Sequence, residues 1–263
     1  MSHQIDSLAY TNRLRWLPPS HKVSFALLLL LLSLIAHPIV QELISLWVVL
    51  WIVRYAGIPA TIYCRLLALP IGFWLTSLPA FVLNGVNDAA MQSVQWDVWR
   101  GWSVGSVYLY VSQTGLHQVG VLFARTLATT SSMFFILLTT PFIEVVQILQ
   151  QLRCPLILVE LLLLMYRFIF TLLAIANDLW TAQNSRCGYR SWRRGMQSLG
   201  ILVGQLLERS LLSYRQVSLS LAARGFNGEL RVWRSNPYQP SLRYSLEAAI
   251  GCVILVMLNT MLH

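Results

Sequence analysis

The chain has 263 residues, of which 56% are hydrophobic and 11% charged, and its mean hydropathy is +0.61. A soluble domain of this size cannot hide that much apolar surface, so composition excludes a soluble globular protein and predicts an integral membrane protein. The formal net charge of +9 falls between apolar runs, where basic residues set orientation; it predicts topology and argues against a nucleic-acid partner.

Residue usage also narrows the chemistry. Lys22 is the only lysine and follows His21, outside any Gly-rich turn, which excludes a phosphate-binding P-loop. Cys64, Cys154, Cys187 and Cys252 form no C-x-x-C pair, and His3, His21, His37, His117 and His263 show no helical pairing. No metal site is expected on this chain.

Arg13, Arg15 and Lys22 precede an apolar run, Val23 to Ala36, and no small-residue cleavage pattern follows it, so no cleavable signal peptide is expected. A second run, Ile39 to Val53, ends at Arg54. Both are short for a span of ~20 residues and predict a tight helical hairpin. After a loop from Arg54 to Arg65, a third run, Leu66 to Leu83, contains Pro70 and Pro79, which predict kinks.

Residues 84–116 form an outer loop. The alternation of Val107, Leu109 and Val111 with Tyr108, Tyr110 and Ser112 predicts a strand, paired across an Arg100-Gly101 turn with Gln95 to Trp99. Trp96, Trp99 and Trp102 suit a membrane interface. Gly101-Trp102-Ser103-Val104-Gly105 matches the G-x-S-x-G pattern, with Asp97 and His117 nearby, and raises a membrane serine hydrolase using Ser103 as an alternative. That motif requires a strand-to-helix elbow in a large sheet, for which the loop is too short.

A fourth span runs from about Gly120 to Thr139 with Arg125 near its outer end, where snorkelling or an internal partner accommodates the charge. Thr140 and Pro141 then predict a helix start, with Thr140 as the cap, and a short helix to Leu152 closed by Cys154-Pro155. Leu156 to Ala176 is long and apolar enough to span. If it did, the ten arginines from Arg186 to Arg243 would lie outside, against the positive-inside bias. Glu160 and Arg167, one heptad apart on one face, would also both sit in hydrocarbon. A helix at the cytoplasmic boundary suits both facts.

The next helix, about Ser191 to Ala223, carries Leu199, Val203, Leu206, Ser210, Ser213, Val217 and Ser220 on one face, together with Gly200-x-x-x-Gly204. Small residues on that face predict that the two long helices cross closely. Each ends in a small-residue turn around one arginine: Ser185-Arg186-Cys187-Gly188 and Ala223-Arg224-Gly225. Gly188 and Gly225 are expected to take the left-handed C-cap, and arginine suits the negative end of the helix dipole. A last apolar run, Tyr244 to Leu262, follows the basic linker Arg231, Arg234 and Arg243.

Thr139-Thr140-Pro141-Phe142, Val159-Glu160-Leu161 leading to Tyr166-Arg167-Phe168, Ala182 to Arg186, and Leu221 to Gly228 together resemble the transmembrane T component of energy-coupling factor (ECF) transporters, in the CbiQ branch. The resemblance covers about residues 115–228. It implies an all-α membrane protein of about five spans with a cytoplasmic pair of crossed coupling helices. Residues 1–140 would form a four-span membrane domain, 141–228 the coupling domain, and 229–263 a basic linker and last span.

In that family, Ala-Arg-Gly helix ends insert into two cytoplasmic ABC ATPase subunits, which bind the ATP and Mg. A substrate-binding membrane subunit, with or without a small accessory one, holds the metal. Carried over, the second motif is intact at Ala223, Arg224 and Gly225, whereas the first has Ser185 for alanine and Cys187 for glycine around Arg186. Glu160, Arg167, Ser210 and Ser213 would pack the coupling helices. The implied role is a non-catalytic coupling subunit of an importer for cobalt or nickel, in the cell inner membrane with its N-terminus cytoplasmic. A vitamin-serving T component is the alternative within transport.

Overall fold

In the computed structural model, residues 8–87, 98–104, 107–225, 238 and 241–262 are described. After a 3-10 turn at Arg13–Trp16 come α1 (Pro19–Ile35), α2 (Pro38–Leu50, continued by a π turn Trp51–Tyr55) and α3 (Ala60–Val82). Strands β1 (Leu83–Asn87), β2 (Val98–Val104) and β3 (Val107–Ser112) lead into α4 (Gln113–Thr139). Then follow α5 (Phe142–Gln151), α6 (Leu156–Ser185), α7 (Trp192–Ala223) and α8 (Leu242–Leu262). The protein is an all-α membrane protein with one small sheet. Among the described residues, five helical stretches are long and apolar enough to cross a bilayer: Pro38–Tyr55, α3, α4, α6 and α8. The set differs from the sequence reading, because α1 has only 17 residues whereas α6 qualifies by length and composition.

The chain divides into two compact units, Met1–Glu144 with Asn236–His263, and Val145–Ser235. The first is a helical bundle whose core joins Phe25, Leu29, Val40, Ile44, Val48, Trp51, Phe135 and Leu138. Phe25, Trp51 and Phe135 meet in tilted and edge-on ring contacts, with centroids 5.1–6.3 Å apart. Some polar side chains inside this bundle bond to backbone and others to each other. Gln41 is fully buried, and its Nε2 donates to the Ser33 and Ala36 carbonyls at 2.9 Å, satisfying the end of α1. Tyr63 Oη and Ser131 Oγ share a 2.7 Å hydrogen bond between α3 and α4.

The helices mostly run past the predicted ends, and for α4 a cap explains where. Ser112 Oγ accepts from Gly115 N at 2.8 Å, so α4 starts at Gln113 rather than near Gly120. Helix α3 begins right after Pro59, which places Arg65 inside it, and it runs through Pro70 and Pro79. The sheet has the order β1-β3-β2, all antiparallel. The predicted β3 is its central strand, but Arg100 and Gly101 lie within β2, paired with Val111 and Tyr110, and do not form the turn. Trp99 is exposed; Trp96 and Asp97 lie outside the described residues.

Side-chain contacts fix the two ends of the bundle. At one end Arg13 N donates to the Ala56 carbonyl, Lys22 meets the end of α4, and Tyr244 packs on Trp51 and Tyr55, with centroids 6.2 and 5.7 Å away. At the other, His37 N donates to Asn259 Oδ1 at 3.0 Å.

Candidate coupling site

The two arginine tips belong to the second unit. Arg186 and Arg224 are each the residue that closes a long helix, with φ −96°, ψ 16° and φ −95°, ψ 12°. The residue after each is left-handed: Cys187 at φ 56° and Gly225 at φ 69°. Cys187 N donates to the Asn184 carbonyl at 3.0 Å and Gly188 N to the Gln183 carbonyl at 2.9 Å, the paired bonds of a Schellman end. Gly225 N makes the equivalent bond to the Ala222 carbonyl at 3.1 Å.

Cys187, and not Gly188, therefore occupies the left-handed position in the first motif, which corrects the expected C-cap. A side chain there costs roughly 1–2 kcal/mol that glycine would avoid. Gly188 is required for a different reason: a Cβ on it would lie 2.8 Å from Ser198 Oγ and 2.9 Å from the Gln183 carbonyl oxygen. Ser198 Oγ in turn donates to the Gly188 carbonyl, and Tyr189 Oη to Gln183 Oε1 at 2.7 Å, which fixes the turn between α6 and α7. Ser185, Arg186, Cys187, Ala223, Arg224 and Gly225 are all exposed.

Helix α7 has no buried residue, and α6 buries only Val159 and Leu179. The half-buried positions of α7 are Gly195, Ser198, Leu202, Leu206, Ser210, Ser213, Val217 and Leu221. This face shares Leu206, Ser210, Ser213 and Val217 with the expected one. It omits Leu199, Val203 and Ser220, which are exposed, and a Cβ on Gly200 or Gly204 would meet nothing within 4 Å. The Gly200-x-x-x-Gly204 pair thus marks no close helix approach within this chain. Glu160 is half-buried and Arg167 exposed.

A second constellation, which the sequence did not disclose, lies where the first unit ends. Lys22 Nζ pairs with Glu144 Oε2 at 2.9 Å and donates to the Thr139 carbonyl at 3.2 Å. Asn12 Nδ2 donates to the Ala9, Leu138 and Thr139 carbonyls at 2.7, 3.3 and 3.2 Å. All three side chains are buried. Together they satisfy carbonyls that α4 leaves orphaned and hold the first turn of α5. Thr140 does not cap α5 as expected: its Oγ1 is buried without a hydrogen-bond partner. The signal available in sequence was the single lysine among arginines.

Two further expectations are corrected. Ser103 lies in β2 opposite Tyr108, in a small antiparallel sheet and not on a strand-to-helix elbow, so the hydrolase alternative loses its structural basis. Arg125 is not near a helix end: it is exposed, deep within α4. Among the described residues no group of three His, Cys, Asp or Glu side chains is placed to hold a metal ion.

These features define a polytopic helical membrane protein with an exposed pair of arginine-ended helices. The chain belongs to the CbiQ family of cobalt transport proteins, whose model matches residues 11–233. It is 30% identical over 261 residues to an uncharacterized protein of Methanocaldococcus jannaschii, covering 98% of this chain and 93% of that one. It is 27% identical over 231 residues to the cobalt transport protein CbiQ of Salmonella typhimurium, covering 87% and 99%. A putative fused cobalt transport protein CbiMQ of Methanocorpusculum labreanum is 25% identical over 228 residues, covering 86% of this chain and 37% of that one. The chain is thus a membrane component of cobalt transport.

Proposed function

We propose that this chain is the coupling subunit of an ECF-type importer for cobalt or nickel. Two cytoplasmic ATPase subunits, which bind ATP and Mg, grip the Arg186 and Arg224 tips, and their closure tilts α6 and α7 against a metal-binding membrane subunit. The observation that carries the reading is the matched backbone geometry of the two tips, each exposed at the end of a helix that this chain barely covers. Two equal handles suit two ATPase grooves. The fused relative, in which sequence like this chain forms 37% of a longer cobalt transport protein, supports a further membrane partner.

The same reading keeps α6 at the membrane boundary, and parity supports it. Lys22 meets the end of α4, and Tyr244 of α8 packs on Trp51 and Tyr55 at that same end of the bundle. The segment between Glu144 and α8 therefore leaves and rejoins at one end and crosses the bilayer an even number of times. Helix α7, with Arg193, Arg194, Glu208, Arg209 and Arg215, carries too much charge to be one of a crossing pair. That leaves α6 uncrossed, the N-terminus and both tips on one face, and the arginine-rich half cytoplasmic in keeping with the positive-inside bias.

The test is purification of the tagged chain with its ATPases. Arg224→Glu is expected to reach the membrane normally yet retain far less ATPase. Normal assembly by this variant would remove the docking role.

A further inference from the structure

Among the described residues of the first unit, helix α4 carries a stripe that its neighbours leave largely open. Gln118, Arg125 and Met133 are exposed and Leu122, Thr129 and Ile136 half-buried, while α4 packs on α1, α2 and α3 through its other faces. Their spacing of four, three, four, four and three residues is that of a helix-packing seam. Arg125 stands at its middle. At 1.5 Å per residue it lies about 18 Å from the start of α4 and about 21 Å from its end; a hydrocarbon core ~30 Å thick centred on this ~39 Å helix leaves it roughly 13 Å from the nearer boundary, a depth at which an unpartnered guanidinium is costly. Among the described residues of α1–α4 and α8, it is the one charged side chain far from both helix ends, and no ion pair involves it.

An arginine at this depth is retained only against a partner, because facing lipid tails leaves its five donors unsatisfied. We infer that the Gln118–Ile136 stripe of α4 is the docking seam for a transmembrane helix of the metal-binding membrane subunit, and that this helix presents a carboxylate to Arg125. The inference rests on the coupling-subunit reading and names where the membrane partner sits. A carboxylate fits best because it accepts a bidentate pair from guanidinium and neutralises the charge in a low-dielectric setting. A second copy of this chain fits poorly, since a two-fold seam would bring Arg125 against itself.

The chain, its ATPases and the metal-binding membrane subunit are co-expressed and purified in mild detergent through a tag on this chain. Arg125→Glu is expected to lower retention of the membrane subunit at least tenfold and Arg125→Leu several-fold, while Arg125→Lys keeps most of it. ATPase retention should match wild type in all three. A photo-crosslinking residue at Met133 should form an adduct with the membrane subunit. Wild-type retention by Arg125→Glu overturns the inference alone; if the wild-type chain retains no membrane subunit, the coupling reading falls with it. Should Arg125→Glu fail to reach the membrane, equal retention by the leucine and lysine variants overturns the inference.

Discussion

Lys22→Met is the perturbation whose size follows most directly from the structure. It leaves the Glu144 carboxylate, 2.9 Å from Nζ, buried beside the end of α4 without its cation, and the Thr139 carbonyl without its 3.2 Å Nζ donor. Breaking one side of a buried pair costs about 3–5 kcal/mol, because the remaining charge is uncompensated. For a chain of this size each kcal/mol moves the melting temperature by about 2–4 °C, so the drop should be about 6–20 °C. Glu144→Leu should cost a similar amount. The double variant, which buries no charge, should be more stable than either single one, since hydrophobic replacement of a whole buried pair is often neutral. Thermal unfolding of the four purified proteins in one detergent reads the cycle. A double variant that loses the sum of both single losses would refute the pair as the clamp on α5.

Two other substitutions test local claims. Cys187→Gly should raise stability by up to about 1 kcal/mol, since the roughly 1–2 kcal/mol of left-handed strain it relieves is partly offset by the greater freedom glycine has in the unfolded chain; the melting temperature measures it, and a decrease would mean that the cysteine side chain holds the turn. Gln41→Leu removes the donor to the Ser33 and Ala36 carbonyls and should cost about 1–3 kcal/mol for the groups left unpaired. No change in its melting temperature would show those carbonyls to be satisfied otherwise.

Much of the architecture was legible because it rests on local rules. The long apolar runs, the two arginine ends and the period-two strand at Val107 to Ser112 each announce themselves in a short window. What was not legible depends on partners distant in sequence. The early start of α4 hinges on one serine cap, Ser112, which moved Arg125 from an expected helix end to mid-helix. Thr140-Pro141 has the local pattern of a helix cap, but its Oγ1 makes no bond, and the carbonyls beside it take donors from more than a hundred residues earlier, a pairing no short window discloses. The first tip seemed degenerate because glycine is the usual left-handed residue; the backbone adopts that conformation at Cys187 regardless. The half-buried face of α7 is turned slightly from the expected one, with Leu202 in and Val203 out, because small residues invite a close crossing that Gly200 and Gly204 do not make here.

That equivalence of the tips is the central claim. Its most direct measurement is ATP-driven cobalt uptake into vesicles carrying the reconstituted complex with Arg186→Glu or Arg224→Glu, each at matched protein content. Two equal handles predict that either substitution alone reduces uptake to a similar low level. Wild-type uptake by the Arg186→Glu complex would contradict the account.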